Sequence, residues 1–231
     1  MSTLPELAAR WSLNDRQAGQ LGTVLELLDR DQHAPSSVRG EAALDVHAAD
    51  SLTALALDRV RTATAIADVG SGAGFPGLVL AIAVPGAAVT LIESVRRKCE
   101  FLEHAVEAAG IPNAHVVNAR AEDWSDGAGA QDVVTARAVA PLGVLCEYAA
   151  PLLRLEGILV AWKGEVAADE AATGERAAEL LGLRSEEAVR SAPYAGSVAH
   201  RLYVFRKIAP TPARFPRRAG MARKRPLGGA G

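Results

Sequence analysis

The residues with the clearest chemical content form one short string, Asp68-Val69-Gly70-Ser71-Gly72-Ala73-Gly74-Phe75-Pro76-Gly77. An apolar run precedes it and an apolar helical pattern follows it, so the string reads as a strand-to-helix turn. Glycines let the backbone turn tightly and approach a ligand with no Cβ in the way. A ligand carboxylate would meet the amides and the positive dipole end of the next helix. Pro76 suits that helix start, because its missing N–H would be unpaired there in any case. Glu93 ends the next apolar run, nineteen residues after Gly74. A carboxylate there can accept hydrogen bonds from both hydroxyls of a ribose.

Gly72-x-Gly74-x-x-Gly77 formally satisfies the dinucleotide fingerprint. Two features argue against that ligand. Asp68 sits at the strand end, where a pyrophosphate would be repelled. The chain beyond Glu93 is also too short for a second mononucleotide half plus a substrate domain. No Ser-His-Asp or Cys-His set and no metal-ligand cluster is evident, so no metal site is expected. Cys99 and Cys146 form no C-x-x-C pair and read as reduced thiols of a cytosolic protein. His47 and Asp50, three apart, share one helix face if their segment is helical. They then either line a ligand pocket or form a capping or core-satisfied pair.

These residues need a scaffold. The first 60 residues read as a helical extension. Leu21, Val24, Leu25 and Leu28 recur at helical spacing, as do Leu52, Leu55 and Ala56. Asp50 or Ser51 is the expected N-cap of the second run. Residues 29–40, with Pro35, Ser36, Ser37 and Gly40, read as a loop. From residue 61 to 208 strands alternate with helices. Strands are expected at 64–69, 88–92, 115–118, 132–136, 158–162 and 202–205, and helices at 78–84, 95–109, 141–155 and 165–181. This order implies right-handed crossovers and a mostly parallel α/β sheet with helices on both faces. Residues 183–208 are expected to add an antiparallel edge hairpin.

The formal net charge is −2, but unevenly spread. Residues 201–231 carry nine cationic side chains and no acid, leaving 16 basic against 27 acidic side chains elsewhere. An acidic body with a basic end suits a polyanionic partner. Residues 209–231, with four prolines and four glycines, read as a mostly disordered basic tail. Arg201, Arg217, Arg218, Arg223, Lys224 and Arg225 are then the candidate contacts with such a polyanion. Binding through them should weaken with salt. No membrane span is expected, since charge or Gly/Pro interrupts every apolar stretch. The N-terminus shows no signal-peptide pattern, so a cytoplasmic location is expected.

The strings DVGSGAGFPGL, LIESVRRKCEFL, NARAEDW, VVTARAVAPL and AWKGE together resemble the 16S ribosomal RNA guanine-N7 methyltransferase G family, also called glucose-inhibited division protein B. The Phe75-Pro76-Gly77 ending is more specific than the glycine loop. VHAADSL at 46–52 is similar to the family's His-x-x-Asp-Ser-Leu element, and HRLYVFRK and PRRAGMARKRPL resemble its C-terminal end. Ala34-Pro35-Ser36-Ser37 departs from the family's usual stretch before the His element, which leaves a substrate role for that loop open.

The resemblance implies a class I methyltransferase fold, a Rossmann-like seven-stranded sheet, with S-adenosylmethionine as cofactor. It implies a guanine of 16S ribosomal RNA, or of the small ribosomal subunit, as substrate, and a monomer. Asp68 would lie near the amino group of the methionine moiety. Gly70, Gly72, Gly74 and Phe75 would meet the cofactor, Glu93 its ribose, Ala121 and Glu122 its adenine. Arg137 would stand at the cofactor–substrate junction. Methyl transfer to N7 needs no general base, because that nitrogen carries no proton at neutral pH. Arg137 or Lys163 could donate to guanine O6 or hold a phosphate.

Overall fold

The computed structural model describes residues 2–194, 197 and 200–229. Its centre is one sheet built from β1 (Ala65–Val69), β2 (Ala88–Glu93), β3 (Ala114–Asn118), β4 (Gln131–Arg137), β5 (Leu153–Lys163), β6 (Leu183–Ser185), β7 (Val189–Ser191) and β8 (His200–Lys207). The order is β3-β2-β1-β4-β5-β8-β6. The pairs from β3 to β5 are parallel, and β8 is antiparallel to β5. Both β6 and β7 pair with β8, so they form one interrupted edge. Eight strands thus fill seven sheet positions, and the expected edge hairpin is present.

Helices cover both faces. The first 60 residues supply α1 (Leu4–Arg10), α2 (Asp15–Arg30), α3 (Glu41–Ala43), a π-helical turn (Leu44–Ala49), α4 (Asp50–Leu52), a 3₁₀ turn (Thr53–Ala56) and α5 (Asp58–Arg61). Beyond β1 come α6 (Gly77–Ala83), α7 (Arg96–Ala108), α8 (Leu142–Ala149), α9 (Ala168–Leu180) and α10 (Met221–Lys224). Alternation along each strand divides the core in two. Ile66 packs with Leu21, Leu28, Leu52, Leu78 and Leu102 on one face. Its neighbour Ala67 belongs with Leu145, Leu159 and Phe205 on the other. The N-terminal helices therefore share a core with the sheet. Among the described residues no helix is long and apolar enough to cross a membrane.

Three expectations need correction. Asp50 and Ser51 cap nothing: the chain is helical through both, and Ser51 Oγ donates back to the His47 carbonyl. The helix expected over 141–155 stops at Ala149. Pro151 cannot continue it, and Leu153 already pairs with Gln131 in β5. The third correction is the largest, because residues 209–229 are packed against the body. Phe215 and Ala222 are buried in the core that holds α8. Arg217 grips the fully buried Glu147 of α8 through two donors, with Nε 2.7 Å from Oε1. Arg176 of α9 donates to the Gly228 carbonyl at 2.7 Å. The prolines and glycines that suggested disorder instead shape a strap that follows the protein surface.

Candidate active site

In an open parallel sheet, ligands bind beyond the carboxyl ends of the strands where the order reverses. Here that point lies between β1 and β4, whose ends carry Asp68 and Arg137. The glycine loop begins there. Gly70 and Ser71 donate to the Ile92 carbonyl at the end of β2, at 2.8 and 3.1 Å, which folds the loop over the sheet edge. Glu93 is buried and accepts from Gly72 N at 3.1 Å and Val95 N at 2.8 Å. A cleft of about 340 Å³ opens above these ends, lined among others by Gly70, Glu93, Ala121, Glu122 and Arg137.

The other expected cofactor residues stand behind that surface. Asp68 is 1% exposed, and both its oxygens are engaged: Oδ2 accepts from Gly77 N at 3.2 Å and Oδ1 from Thr135 Oγ1 at 2.8 Å. Burial pushes its carboxyl up to about 6, against hydrogen bonds and the Arg137 charge, which pull it down. Asp68 thus braces the loop from below. Gly77 must be glycine, because a Cβ would sit 2.7 Å from that carboxylate and 2.3 Å from Leu91 Cδ2. Gly74 is likewise a packing position against Leu78 and Leu102. Gly72 differs: its φ is +57° and a Cβ would enter nearly open space, with only the Gly70 carbonyl at 3.7 Å.

Arg137 lies on the far side of the cleft. Its guanidinium donates to the Val46 carbonyl at 3.0 Å, to Asp50 Oδ2 at 3.2 Å and to His47 Nδ1 at 2.9 Å. It also lies 5.8 Å from the centre of the Phe75 ring, on which His47 stacks at 4.5 Å. Burial first, and then the Arg137 charge, lower His47 to about 4, so the imidazole is neutral at pH 7. Accepting at Nδ1, it carries its proton on Nε2, which faces Ser36 Oγ at 2.8 Å. Burial lowers Arg137, while Asp50 and Asp68 raise it. The π-helical turn places His47 and Asp50 side by side toward Arg137, in keeping with π-turns at functional sites.

Arg137 and Ala138 also border a second cavity of about 350 Å³, together with Asp50, Trp162, Lys163 and His200. His200 Nδ1 lies 3.0 Å from Asp50 Oδ1, and Trp162 Nε1 donates to the Asp50 carbonyl at 2.9 Å. Lys163 is paired with Glu170 and donates to the Ala140 carbonyl at 3.3 Å. Arg137, Asp50 and Lys163 therefore border one cavity, Arg137 also borders the cleft, and His47 holds Arg137.

Sequence reasoning missed Ser36, Thr135 and His200. Ser36 lies in the loop that departs from the family pattern, and His200 is 150 residues from its partner Asp50. No local spacing signals either contact. The cationic candidates divide. Arg201 pairs with Glu165 at 2.8 Å, Arg217 with Glu147, and Arg223 donates to the Val139 carbonyl at 2.8 Å. Arg218, Lys224 and Arg225 are exposed, as is Arg223.

A sheet of this order, with a glycine turn after β1, an acid closing β2 and a reversed β8, defines a class I methyltransferase. Solved structures agree at the level of fold. A 16S rRNA (adenine(1408)-N(1))-methyltransferase mutant from Catenulisporales acidiphilia matches with a TM-score of 0.54 at 15% identity, over 68% of this chain and 94% of that one. TYW2 of P. horikoshii, solved in complex with MeSAdo, matches with a TM-score of 0.51 at 17% identity, over 64% and 59%. The chain belongs to the rRNA small subunit methyltransferase G family, whose model matches residues 36–193. The ribosomal RNA small subunit methyltransferase G of Rubrobacter xylanophilus is 43% identical over 83% of this chain and 76% of its own length. That of Chloroflexus aggregans is 39% identical over 97% of each.

Proposed function

We propose that the protein transfers a methyl group from S-adenosylmethionine to N7 of a guanine in small-subunit ribosomal RNA. One observation carries this reading: two hollows border Arg137, one edged by Gly70, Glu93 and Ala121 and the other walled by Trp162 and the Asp50–His200 pair. The first fits the cofactor. Each Glu93 oxygen keeps a lone pair beyond its backbone bond, suiting a ribose diol, and Gly72 leaves the approach open. When bound, S-adenosylmethionine supplies an electrophilic methyl on a sulfonium.

The chain's own residues then have limited tasks. N7 offers a lone pair and no proton, so no side chain must act as base. Arg137 is held by Val46, Asp50 and His47, which fixes its fork between the hollows. Such fixing is the kind of positioning that contributes on the order of 7–11 kcal/mol to a two-substrate reaction. Neutral His47 adds no second positive charge beside it. The base enters the second cavity, where Trp162 supplies an apolar wall and Lys163 and His200 polar atoms. The exposed Arg218, Lys224 and Arg225 hold RNA phosphates.

The test is methyl transfer from labelled S-adenosylmethionine to small-subunit RNA lacking the modification, followed by nucleoside mass spectrometry. N7-methylguanosine is expected. Absence of transfer to both bare RNA and intact small subunits overturns the reading.

A further inference from the structure

The strap of residues 209–229 borders the nucleoside cleft through Arg223, and its placement is specific. Gly220, at φ +82°, turns the chain so that its amide donates to Glu122 Oε1 at 2.9 Å. Three residues on, Arg223 reaches the Val139 carbonyl at 2.8 Å and borders the cleft beside Tyr148. Ala222, 1% exposed, anchors the turn between them. The strap thus touches the loop after β3, the loop after β4 and α8, and all three contribute residues to the cleft. Below it, the Arg217–Glu147 pair is bidentate at a fully buried carboxylate. A pair of that kind fixes geometry and is costly to break. A strap that only carried charge to RNA would need none of these contacts.

We propose that this strap is a wall of the cofactor site, and that Arg223 is a cofactor-binding residue facing the purine nucleoside end of the ligand. The inference rests on the reading of the cleft as the S-adenosylmethionine site. Arg223 borders the cleft three residues on from Gly220, whose amide is bound to Glu122 of the same lining. Its planar guanidinium offers a stacking face and donors to a purine. Glu122 plays two parts there, lining the cleft and holding Gly220. A ligand seated against it favours the docked strap, and by linkage the docked strap favours the ligand.

The full-length chain tests this, with S-adenosylhomocysteine as unreactive probe in calorimetry. Arg223→Ala is expected to weaken binding at least about tenfold, while Arg214→Ala, which removes an equal charge from the exposed part of the strap, leaves affinity unchanged. Ligand addition is expected to slow hydrogen exchange at the Gly220 amide in the wild-type chain. Wild-type affinity in Arg223→Ala together with unchanged Gly220 exchange overturns the proposal. If the wild-type chain binds no S-adenosylhomocysteine, the cofactor reading itself fails, and this inference with it.

Discussion

The glycine loop and the C-terminal strap border the same cleft and are built by opposite means. The loop is held almost entirely by local bonds: Gly70 and Ser71 to Ile92, Gly72 to Glu93, Gly77 to Asp68. Every partner lies within 22 residues of its donor. The strap is held by contacts across 70 to 98 residues, to Glu147, Val139 and Glu122. Local geometry leaves a sequence signature, because each residue must suit its own backbone. Long-range docking leaves little, because Arg217 would read the same whether it met Glu147 or water.

If that contrast is right, damage to the loop should abolish ligand binding while the fold survives, and damage to the strap should register first as stability. Gly72→Val is the sharpest case. A β-branched residue at φ +57° is strained by roughly 1–3 kcal/mol, and the strain falls on the loop whose amide at this position holds Glu93. We expect cofactor binding to fall below detection in calorimetry, with the circular dichroism of the folded chain retained. Wild-type affinity would break the assignment of the loop.

Arg217→Ala should act on the strap instead. It leaves Glu147 buried with its charge uncompensated, a loss on the order of 3 kcal/mol, read as a lower midpoint in urea denaturation. The double variant Arg217→Met/Glu147→Leu should recover much of it, since an apolar pair carries no desolvation cost. An unchanged midpoint in Arg217→Ala would return the strap to the status of a loose tail.

The smallest expected effect concerns the joint between the hollows. His47, lowered to about 4 in the folded protein, favours the fold above its ordinary pKa of 6.5, and that stability is lost as pH falls toward 4. Asp68, raised to about 6, works with the opposite sign: its stability is present below 3.8 and lost as pH rises through 6. Between pH 4 and 6 the two slopes oppose each other. The stability difference between wild type and His47→Gln should therefore shrink as pH falls from 6.5 to 4, measured by urea midpoints across that range. A constant difference would mean that His47 is not held neutral.

Much of the fold was legible in the chain. Short apolar runs and helical apolar patterns locate β1 through β4, α6, α7 and α9 within a few residues, since burial on a sheet or helix stripe marks the sequence; the boundary between α8 and β5 lies five to six residues earlier than those patterns place it. The glycine string and Glu93 follow from their own conformations and spacing. Sequence also set the charge of residues 201–231, but not its use. Three of those cations, Arg201, Arg206 and Arg217, pair with carboxylates, and Arg223 caps a backbone carbonyl at the cleft. Only the tertiary structure decided that Asp68 braces the loop from beneath, that His200 meets Asp50, and that a proline- and glycine-rich end packs against the body and reaches the cleft through Arg223. The physical reason is the range of the forces: backbone strain and side-chain periodicity act between near neighbours in sequence, whereas ion pairs and buried hydrogen bonds form wherever the folded core brings two groups together.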